Sequence, residues 1–247
     1  MRKPFVAGNW KMNTTEAEAR ELAAAVAAGA AGLACDVALC VPFPHLAAVR
    51  EAVRGSAVGV GAQDVYWEAK GAFTGEVSTA MLADYCRYVI VGHSERRQFF
   101  GETDATVQKK LAAVIASPLD PIVCVGELLE ERRGGHTQDV LSRQVCEGLS
   151  GVELSARVTV AYEPVWAIGT GETAAPEQAQ EACRFIRGEL RKMCGGVADQ
   201  IRIQYGGSVN AENAATLLSL PDVDGALVGG ASLKVDQFLA ICRAARA

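Results

Sequence analysis

The chain is expected to fold as a single α/β domain over residues 1–247, a closed (β/α)8 barrel. Three observations carry that expectation. A length of 247 residues suits one such barrel. Eight short apolar runs alternate with amphipathic stretches, the order required by parallel strands joined through crossover helices. Polar residues and glycines recur just past the ends of the apolar runs, and in a parallel barrel those points share one rim. An open doubly wound sheet is the alternative reading of the same alternation.

Residues 5–9 read as the first strand. A helix follows over 15–28, because Thr15 and Glu18 have the spacing of a capping box and Leu22 and Val26 lie one turn apart. Residues 37–41 form the second strand. Pro42-Phe43-Pro44 then opens a helix with Leu46, Val49 and Val53 on one face. Residues 58–62 and 88–91 are the third and fourth strands, and Val107, Leu111 and Val114 mark the helix after the fourth. The fifth strand is 122–125. The sixth runs through Val158-Thr159-Val160 and ends at Glu163, where Pro164 stops the ladder for want of an N–H. Pro176, a favoured first-turn residue, opens a helix that buries Ala179, Cys183, Ile186 and Leu190. Residues 201–205 and 225–228 complete the strands, and a last helix carries Phe238 and Ile241.

Composition narrows the function. Half of the residues are hydrophobic, yet no apolar run approaches a membrane span. The N-terminus lacks a signal-peptide core, which points to the cytoplasm and to no membrane partner. A net charge of −5 without a basic stripe argues against nucleic acid. Eight cysteines without a CxxC pair read as reduced structural thiols. Three scattered histidines offer no metal-ligand spacing, so neither a metal nor a cofactor is expected.

The strand tips carry the chemistry. Glu163 is a carboxylate at a strand end, beside a loop in which Trp166 and Ile168 are large and apolar and Gly169-Thr170-Gly171 can bring N–H groups close to an anion. Gly206-Gly207 and Gly229-Gly230 follow neighbouring strands, the usual phosphate-binding loops of such barrels. His93 is delivered by a strand, and Ser94-Glu95 begins a helix whose N-terminus disfavours imidazolium. His45 and His136 read as structural. Lys11, flanked by Asn9 and Asn13 beyond the first strand, suits an electrostatic role. Arg96 is placed to support the site by pairing with Glu102, and Arg97 reads as a solvated or ion-paired turn residue. These residues alone specify a site for a small phosphorylated carbonyl compound. Another phosphate-binding barrel enzyme, such as a sugar-phosphate aldolase, stays open, as does a barrel kept only as a binding module.

The chain resembles the triosephosphate isomerase family. The resemblance is carried, in order, by Asn9-Trp10-Lys11-Met12-Asn13, Gly71-Ala72-Phe73-Thr74-Gly75-Glu76, Gly92-His93-Ser94-Glu95-Arg96-Arg97, Cys124-Val125-Gly126-Glu127, the Glu163 loop, Tyr205-Gly206-Gly207-Ser208-Val209-Asn210 and Leu227-Val228-Gly229-Gly230-Ala231. It implies a (β/α)8 TIM barrel that interconverts dihydroxyacetone phosphate and D-glyceraldehyde 3-phosphate in glycolysis and gluconeogenesis. It implies Glu163 as base, a neutral His93 as electrophile, and Lys11 and Asn9 at the enediolate, with Glu95 in the catalytic set. N–H groups of Gly169, Ser208, Gly229 and Gly230 would hold the phosphate. Pro164, Trp166, Ile168, Thr170 and Thr173 would form the lid, with Leu227 pressing on Glu163. The loop over 63–78 is long for a βα connection. The resemblance implies a homodimer in which its Thr74 meets Asn9, Lys11 and Glu95 of the partner subunit. Leu128 stands where the family more often has threonine, and Asp64 where asparagine is frequent. Neither position carries chemistry, and Asp64 bears on dimer strength.

Overall fold

A computed structural model describes residues 2–168 and 173–245. Its strands are Phe5–Asn9 (β1), Asp36–Val41 (β2), Val58–Ala62 (β3), Tyr88–Val91 (β4), Asp120–Val125 (β5), Thr159–Tyr162 (β6), Arg202–Tyr205 (β7) and Gly225–Val228 (β8). Each pairs in parallel with the next, and β8 closes on β1 through Phe5 against Gly225 and Gly8 against Val228. The barrel is therefore closed and the doubly wound alternative does not hold. β5 begins two residues earlier than its apolar run suggests, because Pro121, which lacks an N–H, masks the extension.

Alternation along the strands divides the core in two. Phe5, Ala7, Ala38, Cys40, Tyr88, Ile90, Ile122, Cys124, Ala161 and Leu227 fill the barrel interior. Their neighbours, such as Val6, Val37, Val89, Val123 and Val160, face the helices. Burying each large aliphatic side chain contributes about 1.5–3 kcal/mol, which is why the strands read as continuous apolar runs.

The helices are Glu16–Gly29 (α1), Leu46–Ala52 (α2), Thr79–Ala83 (α3), Ser94–Phe99 (α4), Asp104–Ile115 (α5), Leu129–Arg133 (α6), Thr137–Gly148 (α7), Pro176–Cys194 (α8), Ala214–Leu218 (α9) and Val235–Ala244 (α10). Thr15 and Glu18 form the expected capping box at α1. α3 and α9 are single turns, too short to show a periodicity of 3.6 residues. α4 and α6 lie on the rim at the C-terminal ends of the strands, ahead of α5 and α7. The opposite rim is tied by ions. Asp36 pairs with Lys3 (2.6 Å) and Arg202 (2.8 Å), Asp120 with Arg87 (2.8 Å) and Arg157 (2.9 Å), and Asp224 with Arg2 (2.6 Å) and Arg187 (2.5 Å). All eight cysteines are free thiols. Among the described residues no helix is long and apolar enough to cross a membrane.

Candidate active site

β4 ends at Val91, and Gly92 turns the chain at φ +71°, a conformation that L side chains resist. The turn delivers His93 as the N-cap of α4. Nδ1 of His93 accepts the Glu95 N–H at 3.2 Å, which places the ring's single proton on Nε2. Nε2 lies 2.9 Å from one carboxylate oxygen of Glu163, and the other oxygen accepts the Ser94 N–H at 2.9 Å. Glu163 follows β6, is 2% exposed, and is held to β5 by its own N–H on Val125 O at 2.8 Å.

Burial alone would raise the Glu163 carboxyl. The His93 ring, the Ser94 N–H and Lys11 outweigh it and hold the group below the usual carboxylate range. Burial pulls His93 down, but the Glu163 carboxylate, joined by Glu95, carries it above its ordinary value. The sequence suggested that the N-terminus of α4 would disfavour imidazolium; the facing carboxylates shift the group the other way. The hydrogen bonding is that of a neutral tautomer donating to an ionised carboxylate.

β1 ends at Asn9. Lys11 (φ +54°) and Thr14 (φ +73°) then occupy the left-handed region, which is uncommon for residues other than glycine. Such strain costs on the order of 1–3 kcal/mol per residue and persists only where the surroundings hold it. Here Lys11 N–H donates to Asn9 Oδ1 (3.1 Å), Gln63 Nε2 donates to Lys11 O (3.0 Å), and His45 Nε2 donates to Thr14 O (3.0 Å). The Lys11 ammonium is left 2.5 Å from Glu95 Oε1, and Glu95 Oε2 lies 3.6 Å from His93. Gln63 was not among the sequence candidates.

A pocket of about 370 Å3 is lined by Asn9, Lys11, His93, Glu163, Ile168, Ser208, Leu227, Gly229 and Gly230. The two glycine pairs do different work in it. Gly230 opens a 3-10 turn (Gly230–Leu233), whose first N–H groups are not consumed by the turn itself. Gly206 N–H, by contrast, is taken by Tyr162 O at 2.7 Å. A Cβ on Gly206 would come 3.0 Å from Glu163 Cγ, and one on Gly207 2.3 Å from the Tyr205 hydroxyl. That pair is explained by close packing against Glu163 and Tyr205 as much as by an anion.

Pro164 leads into a 3-10 turn (Val165–Ala167) anchored on the fully buried Glu127. Glu127 Oε1 accepts from Trp166 Nε1 (2.9 Å), Tyr162 OH (3.1 Å) and Arg132 Nη1 (3.1 Å), and the Arg132 guanidinium lies 4.8 Å over the Trp166 ring. Glu127 sat within a quoted motif, but nothing local shows that Trp166, 39 residues away, meets it. Thr173 is exposed, whereas Gly169 and Thr170 lie outside the described residues.

The family model for triosephosphate isomerase matches residues 4–245. A triosephosphate isomerase from Moorella thermoacetica is 58% identical over 98% of both chains. One from Thiobacillus denitrificans is 55% identical over 99% of both. The crystal structure of triosephosphate isomerase from Bartonella henselae superposes with a TM-score of 0.91, at 38% identity and 98% coverage of each chain. The chain belongs to the triosephosphate isomerase family.

The remaining candidates can be placed against that family. Arg96 pairs with Glu102, as expected, and Lys110 joins the same carboxylate. Asp64 is drawn into this cluster by Lys110 (2.6 Å) and Arg96 (2.9 Å) and is buried rather than turned outward. Burial and Glu102 raise its carboxyl above the usual range against the pull of Lys110 and Arg96. Arg97 is ion-paired with Asp104 at 2.6 Å and donates to Gly92 O at 2.8 Å, pinning the turn before His93. Thr74 is exposed at the tip of the 63–78 loop, which is braced by Tyr66 stacked on Trp67 (4.1 Å) and Tyr66 against Phe73 (4.7 Å).

Proposed function

We propose that the protein interconverts dihydroxyacetone phosphate and D-glyceraldehyde 3-phosphate, with Glu163 carrying the proton between C1 and C2. The contact between a buried carboxylate and the Nε2–H of His93, at the wall of a pocket bounded by Ser208, Gly229 and Gly230, is the observation that supports this most directly.

The contact also supports an order of events. His93 has one proton to offer, and here it faces Glu163, so it is not free for a substrate carbonyl. Turning the Glu163 side chain into the pocket releases Nε2–H to polarise that carbonyl and brings the carboxylate to the carbon acid. Lys11, held by Glu95, and Asn9 face the oxygens on which negative charge develops. The N–H groups of Gly169, Ser208, Gly229 and Gly230 serve the phosphate. Ile168 and Leu227, with Pro164, Trp166, Thr170 and Thr173 in the covering loop, exclude water, which keeps the carboxylate basic and the enediolate from losing phosphate.

The working unit we propose is a homodimer in the cytoplasm. Met12 (96% exposed), Phe73, Met81, Tyr85, Phe99 (72% exposed) and Phe100 are large apolar residues open to solvent in one chain. A second cavity of about 340 Å3 opens beside the active site between Lys11, Met12, Glu95 and Phe100, and Thr74 from a second copy would fill it.

Purified protein supplied with glyceraldehyde 3-phosphate should consume NADH through glycerol-3-phosphate dehydrogenase, and light scattering should report a dimer. A folded protein without turnover would hand the site to the binding-module reading. A fully active monomer would remove Thr74 from the interface.

A further inference from the structure

We infer that Gln144, on α7, is a positioning residue that sets the Glu163 carboxylate by gripping the Gly126 peptide; the inference rests on Glu163 being the base. β4 ends at Val91, paired with Val123 of β5, so Gly126 lies beyond the last β4 partner. Gln144 takes over both polar groups there. Its Oε1 accepts the Gly126 N–H at 2.7 Å and its Nε2 donates to Gly126 O at 3.1 Å. Gln144 is 6% exposed, and its helix is fixed by the buried Leu141 and Val145.

The other side of Gly126 bears on Glu163. A Cβ at Gly126 would lie 1.7 Å from Glu163 O and 3.2 Å from Glu163 Cα. The flanking carbonyls, Val125 O and Glu127 O, accept the N–H groups of Glu163 (2.8 Å) and Val165 (3.1 Å). One side chain on a twelve-residue helix therefore holds both polar backbone groups of Gly126, the residue whose two neighbours hold the backbone of Glu163 and the start of the covering loop. Gln144 does not line the substrate pocket. Its effect should appear in the alignment of the base and not in ligand affinity. Only a neutral amide of this length offers one acceptor and one donor in the required pair; ionised glutamate offers acceptors alone, and methionine at most a weak acceptor.

The test is a double-mutant cycle on the full-length protein with Gln144→Met, Glu163→Asp and the pair. Misplacement of a reacting group by ~1 Å costs up to about 100-fold, so Gln144→Met should lower kcat on the order of 10- to 100-fold with KM within about threefold. In the Glu163→Asp background, where alignment is already lost, the same substitution should cost clearly less. Gln144→Glu, which keeps an acceptor for Gly126 N–H but sets a second acceptor against Gly126 O, should likewise lower kcat with KM within about threefold, and it replaces Gln144→Met in the cycle if that variant does not fold. A kcat within about twofold of wild type, or an equal fold loss in both backgrounds, would overturn the inference. Near-normal turnover of Glu163→Gln would instead overturn the reading of Glu163 as base.

Discussion

Replacing Glu163 with glutamine changes its shape little but exchanges one acceptor for a donor. Both carboxylate oxygens are engaged, one by Ser94 N–H and one by His93 Nε2, each at 2.9 Å. If the glutamine oxygen keeps Ser94, its NH2 meets the Nε2–H of His93. Moving the ring proton to Nδ1 transfers the conflict to the Glu95 N–H, which Nδ1 now accepts. One donor–donor contact remains in either arrangement, and a buried unsatisfied donor costs about 1–3 kcal/mol. At about 2–4 °C per kcal/mol for a chain of this size, Tm should fall by roughly 2–12 °C. Relief of a buried charge opposes this. However, the carboxyl is held below its usual range, so the folded state favours the ionised form and the fall should persist. Loss of the proton carrier should lower kcat by at least ~10²–10⁴. Initial rates in the coupled assay and a calorimetric scan measure both quantities. A kcat within a factor of about ten of wild type would refute the role of Glu163; an unchanged Tm would refute the two-sided grip on its carboxylate.

Lys11→Met should lower kcat by on the order of 10²–10³, because it removes the cation that the proposed mechanism sets beside the developing oxyanion; an unchanged kcat would make Lys11 a strained surface residue only. Burial raises Glu102, but Lys110 and Arg96 overcome it and hold the carboxyl below its ordinary value of 4.5. A depressed folded-state pKa stabilises above the unfolded value and loses that contribution as pH falls through the folded one. The stability gap between wild type and Glu102→Gln, read from denaturant midpoints, should therefore narrow as pH is lowered below about 4.5; a gap that holds or widens would contradict the pairing. Leu128 is the N-cap of α6 and cannot accept a hydrogen bond through its side chain, so Leu128→Thr should raise stability by about 0.5–2 kcal/mol, and an unaltered denaturation midpoint would show that this cap does not matter.

Strands buried on both faces read as near-continuous apolar runs, so β3, β4 and β8 could be bounded from composition alone. Asn9, Lys11, His93 and Glu163 were legible for a related reason. Each lies at or just beyond the end of such a run, where a parallel barrel gathers polar groups on one rim. α3 and α9 escaped because one helical turn leaves no periodic record. The phosphate role given to Gly206-Gly207 was too simple, since a glycine pair looks the same whether it admits a ligand or a neighbouring side chain.

The order of apolar and polar residues along the chain thus determined the barrel, the rim that carries the candidate site and the identity of the groups that reach it. It could not show who meets whom across the rim. That Glu127 anchors Trp166, that Gln63 and His45 hold the strained segment around Lys11, and that Gln144 grips Gly126 behind Glu163 all follow from packing within and between strand–helix units. That packing brings residues 18 to 52 positions apart to between 2.7 and 3.0 Å, and local pattern carries no record of such contacts. The charge state of the His93–Glu163 pair belongs to the same class, because burial and the facing charge pull it in opposite directions and only the folded geometry sets their balance.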